Sequence, residues 1–278
     1  MKNLKDCCTC LVATGYATVE MSPSMMQSYS RLLQEYWGVE IDTKARYSFA
    51  QDTDGFLPYG LEYAKDKGKP DLCERFCYWH AHVEKRQADP FATSSFIQAA
   101  VAYEAEVSAL AQRVLDGVAD EFANAPLPSI RQSSYLQLCV YGAGVQVVEN
   151  RQFAQDPHED GHLLSFIRPN RDGLVLLRGR AQIPVRLLAN ELAVLSGSLL
   201  TELSESAIPA AYHAVLASEE TMPRCSLIYF ANPQQHQDYV GFWRRRPVDL
   251  HAAMVRAHVG FGNEPIRAAA SPMPMQVD

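Results

Sequence analysis

No run of apolar residues in this 278-residue chain reaches the roughly 18 to 20 that a membrane-spanning helix needs. The N-terminus carries lysines but no apolar core followed by a small-residue cleavage site, so a cytoplasmic protein is expected. Positive charge is also short: 25 Lys and Arg against 32 Asp and Glu leave a formal charge of −7. That balance argues against a nucleic-acid surface built on net basicity, and the basic run Arg244-Arg245-Arg246 is short enough to be a solvated face. Disulfide arithmetic fails as well, because seven cysteines is an odd number and fits a reducing compartment. Cys7, Cys8 and Cys10 cluster without a second pair at zinc-ribbon spacing and read as reduced thiols. Cys73 and Cys77, four apart, read as small buried hydrophobes on one helix face. Internal repeats and a dividing linker are absent too.

With 47% hydrophobic and 21% charged residues, the chain has ample material for a full core. Its first part reads as mixed and mainly helical. A strand is expected at Gly15 to Val19, then a helix opening at Ser22-Pro23 and running to about Trp37. A longer helix from about Ser94 to Asn124 keeps a 3.6-residue rhythm through Ile97, Val101, Val107, Leu110, Val114, Leu115, Val118 and Phe122. After residue 130 the texture changes to short β-rich runs separated by turns, the pattern of a sandwich or jelly roll. Strands are expected at 135–141, 163–167, 174–177, 183–188, 193–195 and 225–230. Pro169-Asn170-Arg171-Asp172-Gly173 is a turn, since proline presets one dihedral and glycine permits a positive φ. Pro247 to Val259 reads as a final helix, and Ala268 to Asp278 as a loose tail.

Chemistry concentrates in three short stretches. His158 and Asp160 lie two apart, so an extended strand projects both from one side, and His213 is the candidate for a third ligand from a distant strand. Two imidazoles and a carboxylate make an Fe(II) site with open positions for a co-substrate and dioxygen. Arg224 and Ser226 offer a guanidinium fork and a hydroxyl at the same spacing, matched to a carboxylate such as the distal one of 2-oxoglutarate. Other histidines weigh less. His80 and His82 lack a companion carboxylate, Glu159 should face away from its neighbours, and His162 could tune the cluster or touch substrate.

These stretches, taken in chain order, resemble the Fe(II)/2-oxoglutarate-dependent dioxygenases, and within them the isopenicillin N synthase-like branch. His158-Glu159-Asp160 resembles the family's His-x-Asp, and Gly173-Leu174-Val175-Leu176 with Ile183-Pro184-Val185 its "GLQV … V" hairpin. Leu195-Ser196-Gly197-Ser198-Leu199-Leu200 is similar to "N-x-GD-x-L", with Ser198 in place of aspartate. His213-Ala214-Val215 resembles the His-Arg-Val of the third ligand, and Arg224-Cys225-Ser226, continuing to Asn232-Pro233, the Arg-x-Ser strand. Tyr141 stands where the family's Asn-x-Tyr has its tyrosine, while Cys139 replaces the asparagine; Pro70 to Phe76 resembles an N-terminal segment of the branch.

The resemblance implies an α+β protein with a double-stranded β-helix (jelly-roll) core at 131–240, an N-terminal mainly helical region at 1–130 packed on it, and a C-terminal helix and tail at 241–278. It implies Fe(II) on His158, Asp160 and His213, and 2-oxoglutarate held by Arg224, Ser226 and Tyr141. Hydroxylation of a small molecule, an amino acid or natural-product intermediate, through hydrogen abstraction and rebound is the implied activity. Dioxygen and that small molecule are then the partners, with no nucleic acid or membrane. The retained Asp160 argues against halogenation. Two alternatives stay open: an Fe(II) oxidase or cyclase of the same branch that works without 2-oxoglutarate, and a non-catalytic jelly-roll binding protein. Arg168 could meet a substrate carboxylate or face solvent.

Overall fold

The computed structural model describes residues 4–49, 53–61, 68–82, 90–124, 126–142, 151–217, 222–234 and 237–260. Among them are the helices α1 (Leu4–Thr14), α2 (Pro23–Tyr36), α3 (Ile41–Arg46), α4 (Ser95–Glu121), α5 (Ser198–Leu203) and α6 (Leu250–Gly260). Extended Ser22 and Ser94 accept hydrogen bonds from the backbone N–H groups of Met25 and Ile97, and Pro23 occupies the first turn, where no donor is missed. Val107, Val114, Leu115 and Val118 of α4 are completely buried. α1 is an addition to the expected elements. Its Cys7, Cys8 and Leu11 are buried, and the Cys8 thiol reaches the Val114 carbonyl on α4 at 3.6 Å. No helix of the described residues is long and apolar enough to cross a membrane.

Two antiparallel sheets form the jelly roll. The larger has eight strands in the order β1 (Tyr16–Glu20), β10 (Glu191–Ser196), β7 (Leu164–Pro169), β12 (Arg224–Ala231), β5 (Tyr135–Tyr141), β4 (Cys73–Trp79), β3 (Asp54–Leu57) and β2 (Ser48–Phe49). The smaller has the order β6 (Phe153–His158), β11 (His213–Leu216), β8 (Leu174–Arg178) and β9 (Ala181–Pro184). A separate pair joins β13 (Tyr239–Val240) to β14 (Pro247–Val248).

Several elements differ from the sequence reading. The N-terminal part supplies four strands of the larger sheet besides its helices. Cys73 and Cys77 lie on strand β4, not on a helix, and share a face because strand side chains alternate with period two. The strand expected at 183–188 ends at Pro184, and the final helix begins at Leu250 because Pro247-Val248 is taken into β14. The expected tail at 268–278 lies outside the described residues.

Alternation divides the larger sheet cleanly. On β12, Cys225, Leu227, Tyr229 and Ala231 join the helices in one apolar cluster, while Ile228 and Phe230 enter a second cluster shared with the smaller sheet. β5 follows the same rule, with Leu136, Leu138 and Val140 toward the helices and Cys139 and Tyr141 inward. Each buried Leu, Ile or Phe stabilises by roughly 1.5–3 kcal/mol, so these two layers hold the sheet from both sides.

The inward face matters for the site, and one loop-to-turn contact fixes the loop beside it. The Ser198 N–H donates to the Asp160 carbonyl at 2.8 Å, Gly197 N–H to Leu163 at 3.1 Å and Leu199 N–H to His162 at 3.2 Å. Glycine is required there, because a Cβ on Gly197 would stand 2.1 Å from the His162 oxygen and 2.7 Å from that of Asp160. Gly197→Ala is therefore expected to cost about 2 kcal/mol or more. In a thermal melt that is a drop of at least about 4 °C; an unchanged midpoint would show that the loop yields freely.

Candidate metal and co-substrate site

His158 is the last residue of β6, His213 the first of β11, and the two are direct cross-strand partners. Asp160 lies just beyond β6 rather than on the strand, on the loop stitched to Gly197 and Ser198. One potential ligand atom from each of the three residues lies within 4.8 Å of the others, all three residues being buried. Nε2 of His158 is 3.5 Å from Asp160 Oδ1, and Nε2 of His213 is 3.8 Å from Oδ2. Each imidazole turns its other nitrogen to a backbone carbonyl: His158 Nδ1 to Asp156 at 2.7 Å and His213 Nδ1 to Ala211 at 3.1 Å. An Nδ1–H donating to those oxygens leaves Nε2 as the lone-pair donor toward the cluster, the tautomer a metal needs.

Electrostatics agrees with a cation-ready site. Burial alone would raise the Asp160 carboxyl, but His213 and His158 outweigh it and hold the acid well below the usual carboxylate range. Burial pulls His213 down, so it is neutral near pH 7; His158 is likewise disfavoured by burial, yet its hydrogen bond to Asp160 lifts it above the ordinary value. Ser165 on β7 donates to Asp160 Oδ2 at 2.5 Å and orients the carboxylate. Glu159 is exposed on the opposite side.

The second constellation lies on the inward face of the larger sheet. Register aligns β12, β5 and β4 in four rows: Arg224–Tyr141–Cys73, Ser226–Cys139–Arg75, Ile228–Gln137–Cys77 and Phe230–Tyr135–Trp79. Arg224 is 5% exposed. Its Nη1 donates to Ser226 Oγ at 2.9 Å, its Nε to the Asp172 carbonyl at 3.1 Å, and its guanidinium carbon lies 5.1 Å from the centre of the Tyr141 ring. Nη2 is buried with no hydrogen-bond partner among the described residues. Gly173, at φ 122°, makes room: a Cβ there would stand 3.1 Å from Arg224 Nε. Burial lowers the Arg224 pKa from its usual value, the cost of placing a cation where no carboxylate of the described residues pairs with it.

The remaining histidines and Arg168 have other partners. His82 Nδ1 lies 2.6 Å from Asp54 Oδ2. His162 faces Asn232 Oδ1 at 2.7 Å through Nδ1 and the Tyr135 hydroxyl at 3.5 Å through Nε2. Arg168 is committed to the carbonyls of Leu188, Ala189 and Glu191, which removes it as a substrate contact. Sequence reasoning passed over Ser165, Gln155 and the buried pair Asp71–Arg75. The signal for Arg75 was the alternation Cys73, Arg75, Cys77, hidden by reading that stretch as helix.

Two facing antiparallel sheets with a His/Asp/His cluster between strand ends are the architecture of a metal-dependent oxygenase of jelly-roll fold. Residues 134–233 match the family model of the 2OG-Fe(II) oxygenase superfamily. The isopenicillin N synthase-like branch falls within this superfamily. The chain is accordingly a dioxygenase-type oxidoreductase whose cofactors are Fe(II) and 2-oxoglutarate. No curated protein sequence matches it. Among solved structures it is similar to a full-length Neurospora crassa protein in complex with alpha-KG, at 16% identity and TM-score 0.73 over 92% of this chain and 89% of that one. It is similar also to a putative oxygenase from Shewanella oneidensis (20%, TM-score 0.72, 94% and 95% covered) and to a rice dioxygenase for auxin oxidation (17%, TM-score 0.73, 94% and 91%). At these identities the likeness establishes the fold.

Ser165→Ala removes the hydroxyl that orients Asp160. Partners of a ligating carboxylate are typically worth 10- to 100-fold in metal affinity. The variant is therefore expected to bind Co(II), followed by its visible absorbance, about tenfold more weakly; equal affinity would show that Asp160 is set by its loop alone.

Proposed function

We propose that His158, Asp160 and His213 hold the Fe(II), that Arg224 and Ser226 grip the distal carboxylate of 2-oxoglutarate with Tyr141 beside them, and that the enzyme hydroxylates a small molecule. The observation that carries this reading is Arg224. A buried guanidinium, with Nη2 unpartnered among the described residues, calls for an anion, and its fork suits a carboxylate. Bound there, Fe(II), 2-oxoglutarate and dioxygen supply the oxidising equivalent for hydrogen abstraction, with succinate and carbon dioxide released. The chain's own part is positional. The Asp156 and Ala211 carbonyls fix the tautomers of the two imidazoles, Ser165 and the Gly197–Leu199 turn fix Asp160, and the layer formed by Tyr141, Ile228 and Phe230 excludes water.

Small-molecule substrates fit the relatives, since the Neurospora crassa protein is also solved with alpha-KG and thymine and the rice protein is named for auxin oxidation. An amino acid or natural-product intermediate is the class we propose. We assign the iron and 2-oxoglutarate chemistry to 131–240, with 1–130 packed upon that core and 241–278 as its closing helix and tail. A cytoplasmic location accords with seven free cysteines, and neither nucleic acid nor membrane is proposed as a partner.

Mixing the protein anaerobically with Fe(II) and 2-oxoglutarate is expected to give a weak visible charge-transfer band that His158→Ala abolishes. Absence of the band in the parent protein would overturn the reading. Arg224→Ala is expected to raise the 2-oxoglutarate requirement roughly tenfold or more, as loss of a charged hydrogen bond implies, while iron content stays near the parent's. Equal loss of both would place Arg224 in the metal site instead.

A further inference from the structure

One buried polar group on the inward face is not used by iron or 2-oxoglutarate. Asp71 immediately precedes β4 and is 3% exposed; Arg75, on β4, is 5% exposed. Arg75 Nη2 donates to Asp71 Oδ2 at 2.5 Å, and cross-strand pairing sets Arg75 opposite Cys139. Oδ2 receives a second donor, Gln155 Nε2, at 3.3 Å. Oδ1 of the same carboxylate is buried without a hydrogen-bond partner among the described residues. A carboxylate oxygen sealed from water and given no donor is costly, commonly by more than a neutral group would be. The pair is tied to the strand that carries the first imidazole, since Gln155, which reaches Asp71, lies on β6, the strand that ends at His158. Cross-strand register puts Arg75 in the Ser226–Cys139 row, so it shares a face with the carboxylate clamp two strands away.

We infer that Asp71 and Arg75 form the recognition site for the head group of a zwitterionic substrate, an α-amino acid, with Asp71 Oδ1 accepting from its ammonium and Arg75 donating to its carboxylate. This rests on the oxygenase reading above and names the substrate class of that same site. The chemistry favours a zwitterion over a simple acid or amine. An adjacent anion and cation are matched by a ligand of opposite paired charges that adds no net charge to a buried layer. A lone carboxylate ligand would leave the Asp71 oxygen without its donor. Gln155 links this site to the co-substrate side, because its Oε1 accepts from the Tyr141 hydroxyl at 3.1 Å while its Nε2 holds Asp71. A head group on Asp71 thereby steadies Tyr141 against Arg224.

The test uses the full chain loaded with Fe(II) and 2-oxoglutarate, after the charge-transfer band has been seen, so that failure of the oxygenase reading is scored separately. Succinate release is measured with the free proteinogenic α-amino acids and with the N-acetyl and methyl-ester derivative of each. At least one free amino acid is expected to stimulate release, and its two derivatives to do so about tenfold less, each having lost a charge-assisted contact. Asp71→Asn and Arg75→Gln are expected to keep the band and its 2-oxoglutarate midpoint within about twofold while losing the stimulation. The inference is overturned if no free amino acid stimulates a band-forming protein, if either derivative works as well as the free acid, or if band-forming variants keep full stimulation.

Discussion

Everything at the site depends on one antiparallel register, the pairing that sets His158 opposite His213 where β6 meets β11. Strand side chains alternate, so a slip of one residue would turn an imidazole out of the layer and put an apolar neighbour in its place. Apolar burial supports the register from the other edge of β11, where Val215 pairs with Leu174 and His213 with Leu176, and Leu174, Leu176 and Val215 all enter the inter-sheet core. The His/Asp/His cluster thus follows from hydrophobic packing, with Asp160 added by a loop that is hydrogen-bonded to the Gly197–Leu199 turn.

The larger sheet works differently on its two sides. Toward the helices it is apolar throughout the central strands and sets stability. Inward it carries Arg224, Ser226, Tyr141, Arg75 and Gln137, groups whose burial costs free energy that the opposite side must offset. Arg224 and Asp71 each bring an unpartnered buried atom to this inward side, while those of Tyr29, Tyr78 and Tyr103 belong to the helix side. The difference is one of charge: the inward atoms belong to a guanidinium and a carboxylate, which cost more to leave unpartnered than a phenol hydroxyl does.

Much of this was readable from residue order. β5, β7, β8, β10 and β12 announce themselves as short apolar runs between turns, being buried on both faces for most of their length, and α4 by the 3.6-residue rhythm of its buried side. That His158, Asp160 and His213 would converge and that Arg224 would stand against Ser226 was legible from residue type and spacing. Of the N-terminal strands β1 was expected and β2, β3 and β4 were not, since β2 and β3 are too short for a periodic signal, and Cys73-x-x-x-Cys77 satisfies helix and strand spacing alike. Ser165, Gln155 and Asp71 escaped for another reason. Their importance lies in whom they touch across the fold, and a serine, a glutamine or an aspartate advertises nothing of that in sequence.

The pairing of β1 with β10 sets the order in which the fold can close. Tyr16 leaves the ribosome early and has no partner until Leu195 is made, and β12, at the centre of the same sheet, comes later still. Nearly the whole described chain must therefore exist before the sheet can be completed. Folding of this topology is dominated by distant contacts and is slow by nature, so β1, an edge strand whose sole sheet neighbour among the described residues is β10, waits longest for its backbone hydrogen bonds.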